Sequence, residues 1–456
     1  MFLYKGRAIK SVGFIGFGKS NVDLYSYLKK SCVGVEYTVR SDVEPMPPAE
    51  LPDRVLLGDA MLDDIREDVL FLSPSVRRDD PRLKEAMAKG VILSSDTELF
   101  LELTKGDIFA ISGSDGKSTT AYLTSLMLAN AYKGAIPCGN FGEPLSRHID
   151  DGNGYAYALE LSSFTLNYLA PRSKRAVITN VTENHLNWHS SFEEYISAKR
   201  NVFVNAESRI FCYDCPVSRR IAADFPIFGV FSALVSENEL RKAVNAELYI
   251  TLHNGKIIMN GEETVNTKTM RAVGNHNILN VMAALAMTNG IADPKHVQSI
   301  AESFRGLSHR CEEIGAFRGV RYYDSSIDTS PKRCAATLSS FGKRVIVILG
   351  GRSKGLDFSE LIPALKAHAK HIVLTGECAR EMFDLFAKDG GLDSLNIKYA
   401  IVDDFVEAVV YAATVAREGD SVLLSPAATS YDRFKNFEER GSFFRLCVNG
   451  FAKERN

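Results

Sequence analysis

The sequence predicts an α/β protein built from several mostly parallel sheets, and three observations carry that reading. Short apolar runs alternate with amphipathic stretches from about residue 10 to residue 425. One such run, residues 107–112, feeds the loop Gly113-Ser-Asp-Gly-Lys-Ser-Thr119, which opens a helix. The chain has 456 residues, 45% hydrophobic and 24% charged, enough apolar material for roughly three domains.

Taken in order, residues 10–98 alternate β-like runs (11–15, 69–73, 91–93) with amphipathic stretches (22–30, 81–89), the pattern of a small α/β domain. Gly13-Phe-Ile-Gly16-Phe-Gly18-Lys-Ser20 is a strand followed by a G-x-G turn, with Asn21 where a helix-packing glycine is expected. Alone, that turn suits a nucleotide site and an unliganded strand-to-helix turn about equally. A second segment starts at the phosphate loop and continues through strand-like runs 155–161 and 175–181. It carries an irregular insert around residues 211–267, and helices 275–289 and 294–304 close it. The third, from about Leu307, has β-rich runs 344–349, 371–375 and 420–425 separated by helices 358–370 and 404–417. The expected domains are therefore 1–98, 99–306 and 307–456.

A net charge of −2 excludes a nucleic-acid partner held by bulk electrostatics. The N-terminus lacks a leader-like apolar core and no apolar run approaches membrane length, so a cytoplasmic protein without a membrane partner is expected. Eight cysteines are scattered, and the lone Cys212-x-x-Cys215 has no second pair at zinc spacing, which favours structural thiols over a metal site.

The chemistry concentrates in the second segment. Gly113 and Gly116 let the backbone curl so that N–H groups converge on phosphate oxygens, while the following helix aims its positive end at the same point. Lys117 supplies a point charge and Ser118 or Thr119 a hydroxyl for magnesium. The two glycines stand three residues apart, closer than in the ordinary phosphate-binding loop. Glu160-Leu-Ser-Ser-Phe164 and Asn180-Val-Thr-Glu-Asn-His185 each follow a strand-like run, and parallel strands bring such ends to one rim, so Glu160, Glu183 and His185 are expected to face the nucleotide. A histidine alone would more often be structural; the neighbouring loop shifts His185 towards metal chemistry. Lys199, farther on, adds a lysine to this group.

Together these motifs resemble the Mur ligases, the amide ligases of bacterial cell-wall synthesis, over essentially the whole chain. The resemblance rests on the short loop, Cys138-Gly-Asn140-Phe-Gly142, Glu160–Phe164, Asn180–His185, Lys199, Gly274-Asn-His-Asn277-Ile-Leu-Asn280 and Gly306-Leu-Ser-His309-Arg310. Residues 350–358 and 425–437 are similar to the D-glutamate-adding members in particular. The resemblance implies a Rossmann-like N-terminal domain for a uridine nucleotide, a central P-loop ATPase domain and a Rossmann-like C-terminal domain that brings the amino acid. It implies that Ser20, Arg40, Ser73 and Asn140 touch the uridine-diphosphate substrate, and that Gly113, Ser114, Asp115, Gly116, Lys117, Ser118 and Thr119 hold ATP. Asn277, His309 and Arg310 would approach its adenine and phosphates. Two magnesium ions would lie on Ser118, Glu160 and His185, with Lys199 carbamylated (N6-carboxylysine) so that a cation becomes an anion fit to sit beside metal. Thr329, Lys354, Ser430 and Phe437 would grip D-glutamate.

The implied reaction joins D-glutamate to UDP-N-acetylmuramoyl-L-alanine at the expense of ATP, by a monomer, with Lys117, His185 and Lys199 as the catalytic set. A carboxylate is a poor electrophile, so it must first take a phosphoryl group; positioning and charge neutralisation carry that step. The resulting acyl phosphate needs shelter from water, which implies closure of the third domain about a hinge near residues 304–308. Some positions depart from the family pattern. Asp115 replaces Asn, and Asn184 and Asn187 stand where acids are common. Either Asp324 or Ser325 falls at the catalytic-acid position, and Arg77-Arg78 replaces Gly-Pro, serving either a diphosphate or a solvated face. Two other readings fit part of the pattern: a folylpolyglutamate-type ligase and a catalytically silent nucleotide binder.

Overall fold

Three sheets organise the chain, one within each segment delimited above. The structure is a computed structural model and describes residues 2–42, 51–388 and 397–453. The chain forms two compact units, residues 1–264 with 279–298, and residues 265–278 with 299–456.

In the first unit, a five-stranded parallel sheet runs Arg54–Leu57, Glu36–Ser41, Ser11–Ile15, Val69–Leu72, Ile92–Ser94 across its width. The strand order reverses between Ser11–Ile15 and Val69–Leu72, so the carboxyl ends of those two strands open a crevice. Residues Phe14, Tyr25 and Phe71 pack aromatic edges and faces beneath it at centroid distances of 5.8 Å. The hairpin Phe2–Tyr4 with Arg7–Ile9 adds its apolar face to the same core.

The central sheet has nine strands, and the seven from Gly134–Gly139 through Leu248–His253 are parallel. Strand Asp107–Ser112 lies between Tyr155–Glu160 and Ser173–Ile178, which brings the phosphate loop, Glu160 and Thr179 to one rim. Residues 211–267, expected to be irregular, instead extend this sheet. Strands Ala206–Cys212, Gly229–Ser232 and Leu248–His253 alternate with helices Pro216–Ala222 and Glu237–Ala243. Local rules explain the order: Pro216 sits in the first helical turn, and Ser236 with Glu239 forms a capping box. Asn254-Gly255, at φ +49° and +75°, supplies the left-handed pair that a tight hairpin needs between Leu248–His253 and Lys256–Met259.

In the second unit, a six-stranded sheet runs Glu312–Phe317, Val320–Asp324, Ser421–Leu424, Val345–Gly350, Ala369–Thr375, Lys398–Ile401, antiparallel only at the first pair. Val345–Gly350 is buried along its whole length, as a strand covered on both faces must be. Among the described residues no helix is long and apolar enough to cross a membrane.

Candidate active site

The phosphate loop leaves the buried end of Asp107–Ser112 and enters helix Lys117–Leu128. Gly116 caps that helix in the left-handed region, φ +80°, and a side chain there would overlap Asn280 Oδ1. The first helical turn holds no acid, and Asp115 just before the cap is the carboxylate nearest in sequence to its positive end. The loop is strapped to the end of the neighbouring strand. Ser114 N donates to Asn180 O at 2.8 Å, Asp115 N to Asn180 Oδ1 at 2.9 Å, and Thr179 Oγ1 to Asp115 O at 2.7 Å. Cys215 Sγ buttresses the strap from behind, accepting from Val181 N at 3.2 Å and donating to its carbonyl at 3.4 Å, which gives this thiol a structural task.

Lys117 Nζ donates to Ser114 O at 2.9 Å and is thereby folded over the loop. Helix Phe192–Val204, capped by Ser191, presents Lys199 on its buried face. Only 1% exposed, Lys199 donates Nζ to Gly113 O at 2.6 Å and lies 4.7 Å from the centroid of the Tyr195 ring one turn earlier. Burial first, and Lys117 second, push its ammonium well below the ordinary lysine value, against the pull of Asp115 and Glu160. His185 sits at φ +56°, an uncommon conformation for a residue with a side chain, and packs against Phe164 at 5.0 Å. Burial, then Lys117 and Lys199, lowers its imidazole below the ordinary histidine value, a shift that favours the neutral form a metal would need.

Glu160 is 2% exposed; Oε1 accepts from Asn140 Nδ2 at 3.1 Å, and Oε2 is buried with no hydrogen-bond partner among the described residues. A buried carboxylate oxygen left unpaired is costly unless a cation completes it. With the buried Ser118 nearby on the loop helix, this donor set fits magnesium, a hard cation that takes oxygen ligands and keeps several waters and phosphates. Among the described residues no group of three or more His, Cys, Asp or Glu side chains is placed to hold a metal ion by itself.

At the first sheet's crevice, Asn21 takes over from the missing third glycine. Its Nδ2 reaches Gly16 O at 2.6 Å and Phe71 O at 3.3 Å, pinning both strand ends. Ser73 Oγ donates to Gly16 O at 3.0 Å, and Ser20 is exposed in the first turn of helix Lys19–Ser31. Arg40 departs from its expected role. Its five hydrogen bonds go to both Glu67 carboxylate oxygens and to the carbonyls of Met61, Asp63 and Asp64, which matches the donor capacity of a guanidinium. With 0% exposure it is an internal brace and leaves no donor for a nucleotide. Arg77 and Arg78 also have partners within the chain: they stack on Trp188 and Tyr168 and pair with Glu194 and Glu98.

In the second unit, Lys354 Nζ approaches Thr329 Oγ1 at 3.5 Å, Ser430 is buried, and Phe437 opens helix Phe437–Lys453. The Phe437 ring meets the His309 ring edge to face at 6.2 Å. His309 Nδ1 bonds Asp324 Oδ2 at 2.7 Å, and that carboxylate raises the imidazole above its ordinary value. Asp324 is fully buried and Ser325 accepts from Cys311 N at 3.2 Å, so the buried carboxylate serves His309 and the hydroxyl serves the backbone. Asn277 is buried on helix Asn275–Thr288 with Nδ2 on Val273 O at 2.8 Å. Arg310 follows His309 in a turn closed by its own N–H on Leu307 O. Sequence reasoning missed Arg440, which is 2% exposed and binds Ser326 and Ala428 at 2.9–3.2 Å. A lone arginine on an amphipathic helix carries no signal of burial.

A phosphate loop opening a helix, with Lys199 buried against it and an unpaired Glu160 carboxylate oxygen at the end of a strand beside the loop's own, is the arrangement of a phosphate-binding site in an α/β protein. Residues 111–288 match the Mur ligase middle domain and residues 309–428 the Mur ligase, glutamate ligase domain. The chain is 35% identical over 460 residues to the UDP-N-acetylmuramoylalanine--D-glutamate ligase of Ruminiclostridium cellulolyticum, covering 96% of each. It is 33% identical to the enzyme of that name from Clostridium novyi, again over 96% of each chain. The fold is similar to that of the UDP-N-acetylmuramate-alanine ligase of Thermotoga maritima, with a TM-score of 0.57 at 17% identity over 98% of this chain and 100% of the other. The chain belongs to the Mur ligase family.

Proposed function

We propose that this chain is an ATP-dependent amide ligase that adds D-glutamate to UDP-N-acetylmuramoyl-L-alanine, releasing ADP and phosphate in peptidoglycan precursor synthesis. The observation that carries the reading is the rim of the central sheet, where Lys117, buried Lys199 and the unpaired oxygen of Glu160 surround a loop shaped for phosphate. Full-length similarity to ligases of that name supports the choice of substrates.

Lys117 and the loop amides hold the terminal phosphates of ATP, so the L-alanyl carboxylate can attack the γ-phosphorus and form an acyl phosphate. The neutral amine of D-glutamate then attacks the acyl carbon, the amide forms and phosphate leaves. Ser118 and Glu160 would hold one magnesium ion and His185 a second, and bound there the ions would supply neutralisation of the charge on the transferred phosphoryl group. Burial and Lys117 hold the Lys199 amine well below the ordinary lysine value, which favours the neutral form that reacts with carbon dioxide and so suits carbamylation. Ser20, Ser73 and Asn140 take the uridine-nucleotide end, without Arg40. Thr329, Lys354, Ser430 and Phe437 take D-glutamate, and Asn277, His309 and Arg310 serve ATP. The reading keeps three domains, 1–98, 99–306 and 307–456, and a monomer in the cytoplasm.

Phosphate release by the purified protein, with magnesium, ATP and UDP-N-acetylmuramoyl-L-alanine, tests this against D-glutamate, L-glutamate, D-aspartate or no addition. Release confined to D-glutamate, with a product heavier by one glutamyl residue, is expected. ATP binding without release in any mixture sinks the reading in favour of a silent nucleotide binder.

A further inference from the structure

We propose that Arg77 is a positioning residue for this reaction, latching the loop that carries His185 to the loop that carries Ser73, so that the acceptor's nucleotide end sets the metal-binding histidine. The inference rests on the acceptor reading above.

The latch is reciprocal. Arg77 lies over the Trp188 ring at 4.8 Å and donates Nη1 to Trp188 O at 2.5 Å, while Trp188 Nε1 donates to Ser75 O at 2.8 Å. The same guanidinium reaches Glu194 Oε1 at 3.1 Å and Asp79 Oδ2 at 2.8 Å, so its plane is held on both sides. Ser75 is two residues from Ser73, whose hydroxyl closes the crevice turn on Gly16. On the other side, Trp188 packs at a tilt against Phe164 at 4.6 Å, and Phe164 meets His185 edge to face at 5.0 Å. The N–H groups of Trp188 and His189 both bond His185 O at 3.0 Å, so the turn that forces His185 to φ +56° is the turn the arginine clamps. A continuous chain of ring contacts thus runs from the crevice loop to His185 through Arg77, Trp188 and Phe164. The guanidinium lies over the indole and meets Asp79 through two of its nitrogens, a geometry that a lysine would not reproduce.

Trp188 is the chain's single tryptophan, so its emission reports the latch directly. Emission is followed while UDP-N-acetylmuramoyl-L-alanine is titrated into the full-length protein and into Arg77→Ala and Arg77→Lys. Calorimetry measures acceptor affinity, and steady-state assays measure kcat. We expect the unaltered protein to change its emission on binding, Arg77→Ala to lose most of that change, and its kcat to fall roughly tenfold while acceptor affinity moves less than about twofold. Arg77→Lys should lie between. If Arg77→Ala unfolds, Trp188→Phe, which keeps a ring but no N–H for Ser75, should show the same drop in kcat. An unchanged emission response and kcat in Arg77→Ala overturns the latch, as does a pure loss of acceptor affinity. No calorimetric binding by the unaltered protein overturns the acceptor reading and the latch with it.

Discussion

Lys199 Nζ donates to the main-chain oxygen of Gly113 at 2.6 Å, tying the helix that bears it to the first residue of the phosphate loop. Burial and the neighbouring Lys117 lower the Lys199 pKa well below the ordinary lysine value, which favours the neutral amine, a nucleophile for carbon dioxide. Removing dissolved carbon dioxide and bicarbonate should therefore lower the rate, and adding bicarbonate should restore it. Lys199→Met should lose roughly a hundredfold in kcat and show no response to bicarbonate. A bicarbonate-independent rate in the unaltered protein would exclude the carbamate.

Gly116 has no room for a Cβ beside Asn280 and adopts φ +80°. Gly116→Ala should displace the loop and abolish the thermal stabilisation that magnesium-ATP confers, at a cost of about 1 kcal/mol or more to the free protein. Lys117→Ala, by contrast, should keep the fold and lose turnover. It should also let the His185 pKa rise, because Lys117 is one cause of its depression, and histidine NMR titration checks that sign.

The His309–Asp324 contact at 2.7 Å makes stability depend on pH. Asp324 raises the folded-state histidine pKa above its unfolded value of about 6.5, so the folded state binds the extra proton in the window between the two. The contribution is fully present below the unfolded pKa and is lost as pH rises through the raised one. The unfolding temperature of the unaltered protein should exceed that of Asp324→Asn most at acidic pH, the gap narrowing towards alkaline pH. A gap that widens with pH would contradict the assignment.

Arg40 and Glu67 form a buried ion pair, 0% and 6% exposed at their side chains. Arg40→Ala should destabilise the fold by about 3–5 kcal/mol, because it strands a buried carboxylate and three carbonyls. Chemical denaturation measures this. A normal folding midpoint with weakened uridine-nucleotide binding would restore the ligand role expected from the sequence.

Those outcomes divide along a physical line. The phosphate loop, the strands that feed it and the place of Glu160 at a strand end were legible because they depend on local rules: glycine conformations, hydrophobic period and the shared polarity of parallel strands. The extension of the sheet through residues 211–267 was also written locally, in Asn254-Gly255 and the Ser236 capping box, though its short strands left only weak periodicity. What a long polar side chain touches is a different matter. Arg40, Arg77 and Arg440 look alike in a linear chain, yet one is an internal brace, one clamps an indole, and one binds carbonyls in the second unit. Their partners lie 27, 111 and 114 residues away, so no local pattern could reveal them. The sequence by itself determined the secondary elements and the chemistry of the loop. Only the tertiary structure decided which charges are buried and paired, because desolvation and hydrogen bonding depend on neighbours that folding alone supplies.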